Sequence, residues 1–187
     1  MREENPMIVH LREIPRDGLR LEFDLSGDFA REALVETEAE ADSARLHAEA
    51  ELEKILPNVS LRGHLRGEVT IPCSRCTAPA RLDIDVPLRM IFVPRGEGEG
   101  EATPGEPEIE GEPAEEDLDL ATYSNDRLDL GQVLREQLLL QLPIAHLCRD
   151  DCKGLCPQCG KDLNEGPCGC PPASKDERWA ALRQVKL

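Results

Sequence analysis

Eight cysteines most constrain this 187-residue chain. Cys73 and Cys76 form a C-x2-C pair, and Cys148, Cys152, Cys156, Cys159, Cys168 and Cys170 follow as C-x3-C-x3-C-x2-C-x8-C-x-C. Their meaning depends on compartment. The N-terminus MREENPMIVHL carries two acids and no long apolar stretch, unlike a secretory signal. The longest apolar-rich run, Leu138–Leu147, is interrupted by Gln141 and Pro143 and falls short of the ~18 residues that span a bilayer. The expected setting is the cytoplasm, with no membrane association. Thiols stay reduced there, so the cysteines read as metal ligands rather than disulfides.

Pairs of cysteines two to four residues apart on tight turns present two sulfurs on one side of the backbone, and a tetrahedral zinc ion takes one such pair from each of two elements. Leu155-Cys156-Pro157-Gln158-Cys159-Gly160 has the form of a zinc knuckle: the glycine permits the turn that aims amides at the sulfurs, and the proline stiffens it. Eight thiols suit two four-cysteine sites. In one pairing Cys156, Cys159, Cys168 and Cys170 form a compact ribbon-like site, while Cys73 and Cys76 join Cys148 and Cys152. In the other, Cys148, Cys152, Cys156 and Cys159 form a site and Cys73–Cys76 is a free or redox-active pair. His146 is a possible substitute for a thiol in either. The expected cofactor is zinc, as one or two structural ions, with a rubredoxin-like iron site the less favoured choice.

Catalytic signatures are missing. The sequence contains no H-E-x-x-H, Walker loop, G-x-S-x-G or GxGxxG; its one H-x-E, His47-Ala48-Glu49, falls within an alternating run, and His10, His47 and His64 are scattered along expected strands. Closed four-sulfur sites leave no open coordination position. The chain reads as a non-enzyme, and no small-molecule substrate is evident.

Apolar residues alternate through 45–52, 59–71 and 82–92, the period of half-buried antiparallel strands. Ile8–Arg12 and Leu19–Leu25 add shorter strands, and Asp28–Glu38 suggests a short helix. Gly63 and Gly67 suggest a bend or bulge where a sheet curls. From Leu130 the period changes: Leu130, Val133, Leu134, Gln137, Leu138 and Gln141 trace a helical face, opened by an Asp129/Gln132 capping box and stopped by Pro143. A second box at Ser174–Glu177 opens a helix through Trp179, Leu182 and Val185. The expected class is α+β: a small curved antiparallel sheet or partly open barrel, with flanking helices and a C-terminal zinc-ribbon-like cysteine cluster. By segment, 1–95 is the β body, 96–119 an acidic loop, and 120–187 a helix, a cysteine-rich zinc segment and a C-terminal helix packing back on the body.

Charge is distributed unevenly. The net charge is −16, of which residues 96–119 supply eleven acids and no base, while 1–95 sum to −5 and 120–187 to zero. That Gly-, Pro- and Glu-rich stretch is expected to be disordered. Residues 61–95 invert the sign, with Arg62, Arg66, Arg75, Arg81, Arg89 and Arg95 against Glu68, Asp83 and Asp85. Arginine suits phosphate through its bidentate fork, making Arg62, Arg66, Arg75 and Arg81 candidate contacts for RNA or another partner; the plainer alternative is the polar face of strands. With aromatics at 3%, base stacking is disfavoured, and RNA would be held by backbone and shape.

Four segments together, IPCSRCTAP, DLGQVLREQLLLQLPI, CRDDCKGLCPQCGKDLNEGPCGC and the closing DERWAALRQVKL, resemble the YceD family over about Leu19 to Leu187. Members are described as large ribosomal RNA subunit accumulation proteins. The resemblance implies a role in 23S rRNA accumulation and large-subunit maturation, without catalysis, and it favours the Cys73–Cys76 knuckle as the functional surface. The implied partner is precursor 23S rRNA or a basic large-subunit ribosomal protein. The acidic stretch suits the latter, because its carboxylates repel phosphate and attract lysine. From another class, Cys73 and Cys76 could serve a redox or metal-responsive regulator.

Overall fold

The three alternating segments become three long neighbouring strands. The computed structural model describes residues 7–95 and 119–171. In chain order the elements are β1 (Ile8–His10), a single 3-10 turn (Leu11–Glu13), β2 (Leu19–Asp24), α1 (Asp28–Leu34), β3 (Glu40–Ile55), β4 (Asn58–Pro72), β5 (Pro79–Pro94), β6 (Asp119–Tyr123), β7 (Arg127–Asp129) and α2 (Leu130–Gln141). The expected acidic loop, apart from Asp119, and the expected helix after Ser174 lie outside the described residues.

Five strands form one sheet in the order β2-β3-β4-β5-β6, and β1 pairs with β7 in a separate two-stranded sheet. The class is α+β as expected, but two expectations are corrected. The sheet is mixed, because β6 lies parallel to β5 with Met90 opposite Asp119 and Pro94 opposite Tyr123. Among the described residues it is also open, since β2 and β6 are its two ends rather than neighbours, so these strands do not close a barrel. A parallel entry needs a crossover of a dozen or more residues, and the chain between Pro94 and Asp119 provides it.

The chain divides into two compact units. The first comprises Met1–Ile71 and Arg81–Ile144; the second comprises Pro72–Ala80 and Ala145–Leu187. In the first, the apolar side of the sheet (Phe23, Leu46, Leu52, Leu61, Leu65, Ile84, Leu88, Phe92) shares one core with Ala30, Ala33 and Leu34 of α1 and Leu130, Val133, Leu134 and Leu138 of α2. Period two on the strands and period 3.6 on the helices put these residues on facing surfaces. Asp129 caps α2 by accepting the Gln132 N–H at 3.0 Å. The reciprocal half of the expected capping box is not made, because the Gln132 amide turns along the helix to Glu136 at 2.8 Å.

Gly63 and Gly67 do not mark a register shift of their own. Pairing runs through Ala50 opposite Gly63 and Leu46 opposite Gly67, and the irregularity lies on β3 between Glu40 and Arg45. What the glycines permit is close approach: a Cβ at Gly63 would land on the Glu49 carbonyl oxygen, and one at Gly67 on that of Arg45. The backbone of β3 therefore crowds β4 at two points four residues apart on the core side.

Gly63→Ala is expected to destabilise the full chain by at least about 2 kcal/mol in urea unfolding, since the obstacle is backbone and cannot turn aside. Gly169→Ala serves as the control, because its φ lies outside the positive range and nothing lies within 4 Å of the added Cβ. Equal losses for the two variants would overturn the close-approach argument.

Candidate metal centres

Both sulfur groups belong to the second unit. Cys73, Cys76, Cys148 and Cys152 form one, Cys156, Cys159, Cys168 and Cys170 the other, and within each group the ligand atoms all lie within 4.8 Å of one another. Of the two pairings open from the sequence, this is the one that joins Cys73–Cys76 to Cys148–Cys152. His146 belongs to neither group. Its backbone is tied to the knuckle instead, its carbonyl accepting the Ser74 N–H at 2.8 Å and its N–H donating to the Ser74 hydroxyl at 3.0 Å.

The spacing of the sulfurs discriminates between chemistries. Cys73 and Cys152 are 3.8 Å apart and Cys76 and Cys148 3.6 Å. A disulfide needs about 2.05 Å. Four thiolates around an ion at about 2.3 Å lie about 3.8 Å from one another, the edge of a tetrahedron. The donor set therefore fits a tetrahedral ion that takes four sulfurs.

The two groups are built alike. In each, a C-x2-C turn is closed by a hydrogen bond from the residue after the second cysteine to the carbonyl of the first: Thr77 to Cys73 at 2.9 Å and Gly160 to Cys156 at 2.9 Å. The first cysteine then donates its own N–H one residue further on, Cys73 to Ala78 at 2.9 Å and Cys156 to Lys161 at 2.8 Å. Both closing residues are left-handed, Thr77 at φ 58 and Gly160 at φ 73. A β-branched residue in that region is strained, so the first knuckle adopts at a cost what glycine gives the second freely.

Backbone amides polarise each group. The N–H groups of Cys148 and Arg75 hold the Cys73 thiol down at about 6, and those of Cys159 and Gln158 hold Cys156 at about 6. At the other extreme, desolvation and the neighbouring thiols push Cys148 up to about 12, and the Cys159 thiol with burial pushes Cys170 to about 12. Each group thus ionises one sulfur readily and resists ionising the last unless a cation compensates.

Three residues support the groups in ways the sequence reading did not give them. Arg75 donates from Nη1 to the Cys152 carbonyl at 2.8 Å, and its own carbonyl accepts the Leu155 N–H at 3.1 Å. Gly154, at φ +71, lets the chain pass Arg75, whose carbonyl oxygen would sit 2.9 Å from an added Cβ. Asn164 donates from Nδ2 to the Cys152 sulfur at 3.5 Å. The second loop is braced by Gln158 Nε2 on the Pro171 carbonyl at 2.9 Å and Lys161 Nζ on that of Pro167 at 3.2 Å. Only Gly154 left a local signal, a glycine where the chain must turn between two cysteines; the rest depends on contacts distant in sequence.

The candidate arginines divide. Arg75 is committed inside the second unit, as above. Arg62, Arg66 and Arg81 lie on the exposed side of β4 and β5 in the first unit. Arg66 pairs with Asp85 at 3.2 Å, and Arg81 with Glu68 at 2.7 Å and Asp83 at 2.8 Å. These pairs are more than half exposed on the arginine side and are worth about 0–1 kcal/mol each, so a stronger anion can displace them. Arg62 faces Glu51 across the β3–β4 pair and lines a hollow of about 860 Å³ with Arg20, Arg89 and His64, but also with Glu22 and Glu49. That lining is mixed in sign rather than a basic track.

Gly160→Ala is expected to weaken metal binding at the second group by about fivefold, the equivalent of ~1 kcal/mol of left-handed strain, because nothing lies within 4 Å of the new Cβ. Thr77→Gly should act in the opposite sense at the first group. Competition with a chromophoric chelator reads both. Metal and protons compete for the sulfurs, so binding at pH 7.4 should release at least one proton per site, from Cys148 and Cys170, and affinity should fall further below pH 6 as Cys73 and Cys156 protonate. Calorimetry in buffers of different ionisation enthalpy counts those protons.

Comparison with known proteins places these segments. The family model described as "Large ribosomal RNA subunit accumulation protein YceD" matches residues 61–186. An uncharacterized protein of Mycobacterium tuberculosis is 30% identical over 76% of this chain and 62% of its own length, and one of Mycobacterium leprae 26% identical over 76% and 59%. A chloroplastic protein of Arabidopsis thaliana, named as a large ribosomal RNA subunit accumulation protein YCED homolog, is 30% identical over 32% of this chain and 18% of its own. The chain spans about three-fifths of the length of the mycobacterial relatives. No solved structure matches. With its knuckle, its α2 helix and its cysteine cluster all inside the matched span, this chain belongs to the YceD family.

Proposed function

We propose that this protein is a non-enzymatic ribosome biogenesis factor, needed for 23S rRNA accumulation and maturation of the large subunit. The match of residues 61–186 to a family described by large ribosomal RNA subunit accumulation carries the reading. The cysteine groups support its non-catalytic part. Each supplies four sulfurs and so fills a tetrahedral ion without leaving a position for substrate. The ion is zinc, which takes four thiolates without redox chemistry. When bound it supplies a cross-link between chain segments; the chain's own residues supply the turns and amides that present the sulfurs.

Between the two partners, the observations favour a basic large-subunit ribosomal protein over bare rRNA. Residues 96–119 hold eleven carboxylates and no base. Of the four candidate arginines, Arg66 and Arg81 face carboxylates and Arg75 supports the Cys148–Cys152 turn. The redox alternative has less support. Cys73 and Cys76 are buried at 1% and 6% exposure, their sulfurs lie against Cys152 and Cys148, and attack by an outside thiol needs access.

Depleting the protein in its source organism should lower the ratio of 23S to 16S rRNA, and the tagged chain should sediment with large-subunit precursors. Replacing the eleven acids of 96–119 by their amides should abolish capture of basic ribosomal proteins. An unchanged rRNA ratio on depletion would overturn the function. Tight, salt-dependent binding to 23S fragments by the amide variant, without protein capture by the parent chain, would replace the partner with rRNA.

A further inference from the structure

Asn164 lies in the loop of one sulfur group and touches a sulfur of the other. It sits between Cys159 and Cys168, yet its Nδ2 donates to the Cys152 sulfur at 3.5 Å. The side chain is fully used. The same Nδ2 donates to Asp162 Oδ1 at 2.7 Å, and Asn164 Oδ1 accepts the Lys153 N–H at 2.8 Å, beside Cys152 in the chain. Asp162 Oδ1 also accepts the Asn164 backbone N–H at 2.8 Å, which fixes the rotamer from both sides. Two further bonds hold this loop to the Cys152–Cys156 segment: Leu163 N–H to the Gly154 carbonyl at 2.9 Å, and the bridge between Leu155 and Asp162. An aspartate of the same shape keeps the acceptor and loses both donors.

We propose that Asn164 is a positioning residue that couples the two metal sites: filling the Cys156–Cys159–Cys168–Cys170 site orders the loop that delivers its amide to Cys152, and so tightens the other site. The proposal rests on both groups binding metal. An N–H···S bond lowers the charge a thiolate presents to its ion and holds the sulfur in place, and losing such an outer contact costs about 10–100-fold in metal affinity. Coupling is reciprocal, so filling the Cys73–Cys76–Cys148–Cys152 site must tighten its neighbour by the same factor. The two groups also differ in access: in one, Cys73, Cys76 and Cys152 are buried and Cys148 exposed, whereas in the other Cys156 alone is buried, with Cys159 exposed and Cys168 and Cys170 half-buried. A chelator is therefore expected to empty the Cys159 site first, and the other site is then held about tenfold more weakly.

Cobalt(II) titration of the full-length apo chain, followed through the sulfur-to-cobalt charge-transfer band, tests this. Wild type should bind two ions. Asn164→Asp should weaken the Cys73 site by about tenfold and move its band to lower energy, because the sulfur loses a donor. Cys168→Ser with Cys170→Ser, which removes the neighbouring site, should weaken the Cys73 site by a similar factor. Adding Asn164→Asp to that background should cost nothing further, since the amide is no longer delivered. Additive losses, or an unchanged Cys73 site in Asn164→Asp with an unmoved band, would overturn the coupling while leaving two metal sites standing. Failure of wild type to bind cobalt at either group would overturn the metal reading itself and the coupling with it.

Discussion

Four sulfurs held within 4.8 Å of one another are the constraint on which the second unit depends. Among its described residues the buried cluster is Cys73, Cys76 and Cys152, with Ala78 and Leu147 packed against them. A cluster this small offsets little of the entropy of ordering the turns around it, and a cross-link there would add what burial does not. Sulfurs 3.6 and 3.8 Å apart are too far for disulfides and well placed for a shared ion. An ion shared there would also join chain segments remote in sequence, since Arg81–Ile144 of the first unit lies between Cys76 and Cys148. Closing so long a loop removes more unfolded-state entropy than closing a short one.

The first unit is organised differently. Its sheet is held by one continuous apolar side packed against α1 and α2, and the close approach of β3 to β4 at Gly63 and Gly67 shapes that side. The opposite side carries alternating charges, Arg20 with Glu51, Arg66 with Asp85 and Arg81 with Glu68, each exposed and individually weak. Such a surface presents both signs of charge rather than a basic track. Within one chain, then, one unit is organised by hydrophobic burial and the other gathers sulfurs placed to share an ion, and the knuckle residues 72–80 belong to the latter although β4 and β5 lead into and out of them.

Much of the fold was legible. The alternation of Leu46, Ala48, Ala50 and Leu52, and its counterparts in β4 and β5, is a local record of one buried face, and the Asp129 cap announces the start of α2. Other features were not. β6 was missed because Asp119–Tyr123 is short and mostly exposed, so its strand character comes from the edge of β5 rather than from its own pattern. Arg75 read as a phosphate contact because arginine chemistry is visible in sequence and the position of the Cys152 carbonyl is not. Asn164 stands inside the family-like cysteine segment, but its contact with the Cys152 sulfur left no local sign, since an asparagine in a loop has many ordinary uses.

By itself the sequence determined the class, the long strands, the main helix and the thiols offered as candidate ligands, because periodicity, capping and thiol count are local properties. Only the tertiary structure decided which sulfurs gather, that the sheet is mixed and open, that Thr77 does the work of glycine in the first knuckle, and that Asn164 reaches from one loop to a sulfur of the other group. The physical reason is common to all four: each is settled by groups distant along the chain, and a residue's own neighbours in sequence do not record who its neighbours in space will be.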